Sequence, residues 1–320
     1  MTGRLGGLAV SVLLLQPLVV VAQERAALVV SGATGGGPFV ERYASWRASL
    51  VSKLRDGFTL PPARLVVLAE APGEGELEAT REQLEAAVER LRATMGPSDL
   101  LLVVLMGHGS FDGADAKFNL VGPDLDALAW RELLDRLPGR QIVVNTASAS
   151  FPFLEALSSP RRVVVTATDS AAQQFATVFG EYFIQGLDDP EADLDKNSRV
   201  SIWETFMFAS ARVRQYYEQR GQLATERPLI DDNGDGLGKE AGAPGPDGPA
   251  AGRTYFDAET PPPPTDPELA ELYQRRATLE AQADELKLRK PLMPESDYAR
   301  EFERLMIELA RVSRAIRKKS

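Results

Sequence analysis

"LLLVVLMGHGSFDG", residues 100–113, sets seven apolar residues without interruption before a Gly-His-Gly triplet. An unbroken apolar run closed by glycine reads as a strand covered on both faces, as strands of a parallel sheet are. Its histidine, His108, is the single histidine of the chain. It stands at the carboxyl end of the strand, where open α/β sheets bind their ligands. Flanking glycines let the backbone turn sharply there, and an exposed imidazole is a general base near neutral pH. From this residue alone, a catalytic and a purely structural histidine remain equally good readings.

Runs of the same kind occur at Ala26–Val30, Leu65–Leu68, Ile142–Val144 and Val163–Val165. Between them lie segments with apolar residues at helical spacing: Val40–Leu54, a helix opened by the capping-box pattern Thr80-Arg-Glu-Gln83, Leu128–Leu137 and Phe175–Leu187. Strands alternating with helices predict an α/β fold in three layers, with a mostly parallel sheet in the middle. The chain's 320 residues allow one such domain with an appendage, since single domains usually hold about 100–200 residues.

Both ends read differently from the middle. The opening "MTGRLGGLAVSVLLLQPLVVVAQER" has one arginine, an apolar stretch and small residues before Gln23, the pattern of a signal peptide over 1–22. Its apolar part, broken by Gln16 and Pro17, is short of the about 20 residues a membrane span needs. The expected location is periplasmic or secreted, with no membrane span after cleavage. The chain has no cysteine, so an exported fold holds without disulfides and without a thiol nucleophile. A surplus of 46 acidic over 36 basic residues gives a net charge of -10, which disfavours nucleic acid as a partner.

The α/β region is expected over 23–237, and a Gly- and Pro-rich linker over 238–265. A helical hairpin follows over 266–320. Leu272, Leu279, Ala283 and Leu286 mark its first helix, Pro291 and Pro294 the break. Tyr298, Phe302, Leu305, Leu309, Val312 and Ile316 then recur at the alternating steps of a coiled-coil seam. The open side of the hairpin is expected to be covered by the main domain, by another subunit or by a peptide or protein partner. Its basic end, "RAIRKKS", suits the negative pole of a helix terminus.

The strand after the histidine ends "IVVNTASASF". With Gly-His-Gly on one strand end and Ala147-Ser148 on the next, the chain resembles the caspase and legumain superfamily of cysteine peptidases. "VVSGATGGGPFVERYASW" resembles that family's first strand, loop and helix, and "VVVTATDS" the strand after its nucleophile. The resemblance spans most of residues 26–237 and implies a caspase-like sandwich of bacterial, exported type. It implies His108 as general base, Ser148 at the nucleophile position, and the N–H groups of Gly109 and Ser148 as an oxyanion hole. The chain departs from the family in carrying serine for cysteine, Thr146 before the Ala-Ser pair, and Phe151 where glycine is common. A serine hydroxyl needs a base held by a third group, whereas a thiol is partly ionised unaided. The expectation is therefore a degenerate peptidase that binds peptide or protein, with weak hydrolysis by a Ser148–His108 dyad as the alternative. Asp169 and Ser170, after the following strand, are candidate substrate-binding residues or plain turn residues.

Gly32, Gly35, Gly36 and Gly37 do not fit the dinucleotide-binding spacing, and no tyrosine has lysine four residues on, so no nucleotide cofactor is expected. A metal is. In "DLDKNSRVSIWE", residues 193–204, Asp193, Asp195, Asn197, Ser201 and Glu204 fill positions one, three, five, nine and twelve of an EF-hand-type Ca²⁺ loop, with the Arg199 carbonyl at position seven. Ser198 replaces the usual glycine of position six. Ser201-Ile-Trp-Glu204 also reads as a simple capping box. "DDNGDG", residues 231–236, starts a second loop of this kind but has Gly242 at its twelfth position.

Overall fold

A computed structural model describes residues 23–257, 266–290 and 293–319. The leader expected over 1–22, the stretch 258–265 and Pro291 lie outside the described residues. Within them the main sheet holds β1 (Arg25–Ser31), β2 (Leu65–Ala69), β3 (Leu77–Glu78), β4 (Leu100–Met106), β8 (Arg140–Asn145), β9 (Arg162–Thr166), β10 (Leu229–Asp231) and β11 (Lys239–Glu240). A separate antiparallel sheet is formed by β5 (Gly109–Phe111), β6 (Ala116–Phe118) and β7 (Leu125–Asp126). The order across the main sheet is β11-β10-β9-β8-β4-β1-β2-β3, parallel from β9 to β3 and antiparallel at β10 and β11.

The apolar runs form strands because both faces of the sheet are covered. Along β4, Leu102, Val104 and Met106 join one buried cluster, and Leu101, Val103 and Leu105 the other. Each such side chain contributes roughly 1.5–3 kcal/mol by leaving water. One layer consists of α1 (Pro38–Ser52), α5 (Phe179–Gly186) and α6 (Ile202–Gln219), through Trp46, Phe183 and Phe206. The opposite layer consists of α2 (Arg81–Thr94), α3 (Ala127–Asp135) and α4 (Phe151–Leu157), through Leu84, Trp130 and Phe153. Thr80 caps α2 by accepting from the Gln83 N–H at 3.3 Å. The molecule is thus the three-layer α/β sandwich that the alternation predicts.

The composition of 238–265 misleads for its first part. Lys239 and Glu240 pair with β10, and Ala251 and Phe256 are buried in the cluster beneath α6. The α/β unit therefore runs through Asp257, not Leu237. Specific hydrogen bonds order this stretch despite its few apolar residues. Asp232 accepts from the Gly248 and Ala251 N–H groups at 3.0 and 2.6 Å, and the Lys239 ammonium donates to the Asp247 carbonyl.

Beyond it, α7 (Pro267–Arg289) and α8 (Glu295–Lys319) form the expected hairpin. Leu279, Ala283 and Leu286 close against Leu305, Val312 and Ile316, with Leu272, Tyr298, Phe302 and Leu309 around them. The seam of α8 is covered by α7. Met306 and Ile307 remain exposed on α8. Among the described residues no helix is long and apolar enough to cross a membrane.

Candidate functional site

Parallel register sets the ends of β1, β4 and β8 side by side, Ser31 against Met106 and Leu105 against Asn145. The loops that leave these ends carry Thr34, His108 and Ser148. Gly109 is required by close approach, because a Cβ there would lie 2.2 Å from the Ser148 carbonyl oxygen. The chain turns at Ala149, whose φ of 50° is left-handed, and the Ala149 N–H donates to the Gln173 carbonyl at 2.7 Å. Ser148 and Gly109 are therefore in contact, as their positions at adjacent strand ends imply.

The contact closes the serine rather than arming it. The Ser148 hydroxyl donates to the Gly109 carbonyl at 3.0 Å and accepts from the Gly109 N–H at 3.2 Å. Only 2% of the residue is exposed. The N–H expected to line an oxyanion hole is thus spent on the serine itself. The bond that the His108 ring makes is to Thr34, whose carbonyl oxygen lies 3.0 Å from Nε2. A carbonyl only accepts, so Nε2 carries the proton and the neutral ring keeps its lone pair on Nδ1. Burial holds the imidazole below its ordinary pKa, opposed by the Thr34 hydrogen bond and assisted by Arg42. It is neutral at pH 7.

Four residues that the sequence reading did not single out, Thr34, Glu70, Phe39 and Tyr43, fix this histidine. The Thr34 hydroxyl and N–H both donate to the Glu70 carboxylate, at 2.6 and 3.2 Å. The rings of Phe39 and Tyr43 meet the imidazole edge-on, at centroid distances of 4.6 and 5.5 Å. Tyr43 also donates to the Gly107 carbonyl at 3.3 Å, and burial pushes its phenol up to about 12. The available signal was topological: Thr34 follows β1, the neighbour of β4, and Glu70 follows β2, the next strand out, in loops that parallel register brings to the same edge.

Asp169 and Ser170 behave as turn residues. Asp169 pairs with Arg227 at 3.1 Å, and the Ser170 hydroxyl accepts from the Ala172 N–H at 3.2 Å. Around them, however, two aromatic side chains face solvent, Phe151 at 37% and Phe175 at 70% exposure. Phe151 is tied to the β9 end by its N–H, which donates to the Thr168 hydroxyl at 3.1 Å. A groove of about 500 Å³ lies elsewhere, between α1 and α5, lined in part by Arg42, Trp46, Lys53 and Glu181.

The acidic loop is assembled as its spacing requires. Carboxylate oxygens of Asp193, Asp195 and Glu204 all lie within 4.8 Å of one another. Asp193 accepts the Asn197 and Ser198 N–H groups, each at 3.0 Å, and Ser198 takes the left-handed φ of 69° that position six demands. Asn197 accepts from the Arg199 N–H at 2.8 Å, and the Arg199 guanidinium pairs with Asp257. The capping box is equally real. The Ser201 hydroxyl accepts from the Glu204 N–H at 3.2 Å, and Glu204 accepts from the Ser201 N–H at 2.9 Å. The two readings of this segment do not compete, because Glu204 serves α6 with one oxygen and the loop with the other: Oε1 also accepts from the Leu194 and Asp195 N–H groups.

No protein-family model matches the chain, and no curated protein matches it. Among solved structures, the chain is similar to the crystal structure of protein GSU0716 from Geobacter sulfurreducens. The superposition has a TM-score of 0.46 at 12% sequence identity and covers 73% of this chain and 99% of that one.

Proposed function

We propose that the α/β body is a degenerate peptidase of the caspase and legumain type, exported to the periplasm or beyond, that binds peptide or protein segments without cleaving them. The observation that carries this is the pair of hydrogen bonds between Ser148 and the Gly109 backbone. A nucleophilic hydroxyl must hand its proton to a base, and here the proton goes to a carbonyl that cannot take it. Stabilising an oxyanion needs a free backbone donor, and the Gly109 N–H is engaged. Binding needs neither. The exposed rings of Phe151, at the start of α4, and Phe175, on the loop after β9, offer apolar contact for a peptide laid across the strand ends.

Calcium is the cofactor that the loop of residues 193–204 fits. Three carboxylates, the Asn197 side chain and the Arg199 carbonyl supply the oxygen donors that Ca²⁺ takes. The ion would lock the loop to the first turn of α6 through Glu204 and so act as a structural brace.

Reaction with a fluorophosphonate probe tests the loss of hydrolysis. No labelling of Ser148 is expected, and fluorescence anisotropy with a peptide library is expected to show binding that weakens at least several-fold in Phe175→Ala. Labelling of Ser148 that disappears in His108→Ala would establish a working serine hydrolase and overturn the reading.

A further inference from the structure

We propose that two copies of the chain associate through the outer face of α8, running antiparallel about a two-fold axis between Glu308 and Leu309. The inner face of this helix is used up. Its seam, from Tyr298 to Ile316, closes on α7, and the buried cluster so formed holds only residues of the hairpin. Away from the seam two large apolar side chains stand in solvent, Met306 at 44% and Ile307 at 45% exposure. At about 100° per residue, Ile307 lies on the side of the helix opposite the seam.

Ala299, Glu303, Ala310, Arg314 and Lys318 share that side, and all are exposed. Their spacing reads the same in both directions. With Ile307 they follow one another at steps of four, four, three, four and four, so an antiparallel copy meets them in register. Ile307 then falls on Ala310 of the second copy, and Glu303 falls opposite its Arg314. Each contact occurs twice, as a two-fold interface requires. The alanines let the two helix axes approach to the about 8–10 Å of close helix packing.

Charge selects this orientation over the parallel one. Residues 295–306 carry four carboxylates and two guanidinium groups, whereas residues 308–319 carry five cations and one carboxylate. Laid antiparallel, the acidic half of each helix faces the basic half of the other. Laid parallel, like faces like. Glu308 and Lys319 are taken within the hairpin, by Arg275 and Glu268. Glu303 and Arg314 have no hydrogen bond or ion pair among the described residues. They cannot pair within one chain, since eleven residues of helix set them roughly 16 Å apart. A palindromic face with opposite charges at its two ends fits a copy of itself better than an unrelated surface.

This interface uses the hairpin alone and is independent of what the body binds. Sedimentation velocity of the full-length chain over a concentration series is expected to show monomer passing to dimer. One helix face is smaller than the roughly 800 Å² per partner of stable complexes, so the dimer should be weak, and weaker still in high salt. Glu303→Arg and Arg314→Glu should each weaken it roughly tenfold or more, with far-ultraviolet circular dichroism unchanged because both side chains are exposed. The two reversals combined in one chain should restore dimerisation, since only antiparallel copies bring the swapped charges together. A chain that stays monomeric throughout leaves this face to the body or to another protein and overturns the proposal. So does a dimer that the single reversals leave unchanged, or one that the double reversal fails to restore.

Discussion

At the end of β8 the Ser148 hydroxyl gives and receives a hydrogen bond within one residue, Gly109, while at Asp247 a carboxylate oxygen is buried with no donor at all. Ser148 reads in the sequence as a candidate nucleophile, Asp247 as linker, and the difference between them is one of balance. The candidate side chains at the strand ends find partners, serine on glycine, histidine on Thr34, Thr34 on Glu70, while the buried amide nitrogens of Asn145 and Gln173 beside them have none. The carboxylates of the loop of residues 193–204 each accept from N–H donors of the fold as well, so the oxygen left without a donor is that of Asp247. Groups poised for chemistry or binding are those that the fold leaves incompletely paired. By that measure the Ser148 hydroxyl is closed, and Asp247 Oδ2 is left open.

The largest effect that could break this comparison comes from Gly109→Ala. A methyl group there would meet the Ser148 carbonyl at 2.2 Å and the Lys117 carbonyl at 3.2 Å, both backbone atoms that cannot step aside. Overpacking against backbone at this crossing should cost about 3 kcal/mol or more, read as a lower urea midpoint. Wild-type stability in this variant would mean that the strand ends stand apart and Ser148 is free.

How much of this was legible in the sequence depends on the range of the forces involved. The five long strands and α1, α2, α3 and α5 were, because burial on both faces leaves an unbroken apolar run and burial on one leaves a helical period, whereas the short α4 was not. The hairpin was legible for the same reason. The strand-end placing of His108 and Ser148 followed from the runs that precede them, but their hydrogen-bond partners did not. Glu70 reaches Thr34 across 36 residues, and nothing local marks the pair. The stretch after Leu237 was misjudged because glycine and proline content measures apolar burial alone. Its order comes from Asp232 and Lys239 bonding to backbone groups, and from two buried residues, Ala251 and Phe256.

Glu226 sharpens the comparison from a third direction, as a buried carboxylate that is fully paired. It accepts from the Val178 N–H at 2.8 Å, from the Phe179 N–H and the Tyr217 hydroxyl at 3.1 Å each, at the start of α5. Burial nonetheless pushes it up to about 7, the backbone hydrogen bonds opposing. Its folded form holds a proton more tightly than the unfolded chain, whose carboxyl titrates near 4.5. The contribution is therefore fully present below pH 4.5 and is lost as the pH rises through about 7, by about 3 kcal/mol. In Glu226→Gln that loss should vanish. The wild type should lose stability relative to this variant between pH 4.5 and 8, measured by denaturant titration at each pH. A difference that stays flat across this range would show that pairing outweighs burial here.

The smallest expected effect bears most directly on Ser148. Replacing it with alanine removes one hydrogen bond to the Gly109 carbonyl and one from the Gly109 N–H, at a side chain that is itself buried. Net losses of this kind amount to about 1–2 kcal/mol. A residue kept for catalysis behaves in the opposite way, because active sites hold their groups in destabilised arrangements and gain stability when those groups are removed. The sign of the change in Ser148→Ala therefore separates the two roles without any substrate. A lower melting temperature is expected. A higher one would mean that the hydroxyl is held at a cost to the fold, and that the strand ends were built to do more than close on themselves.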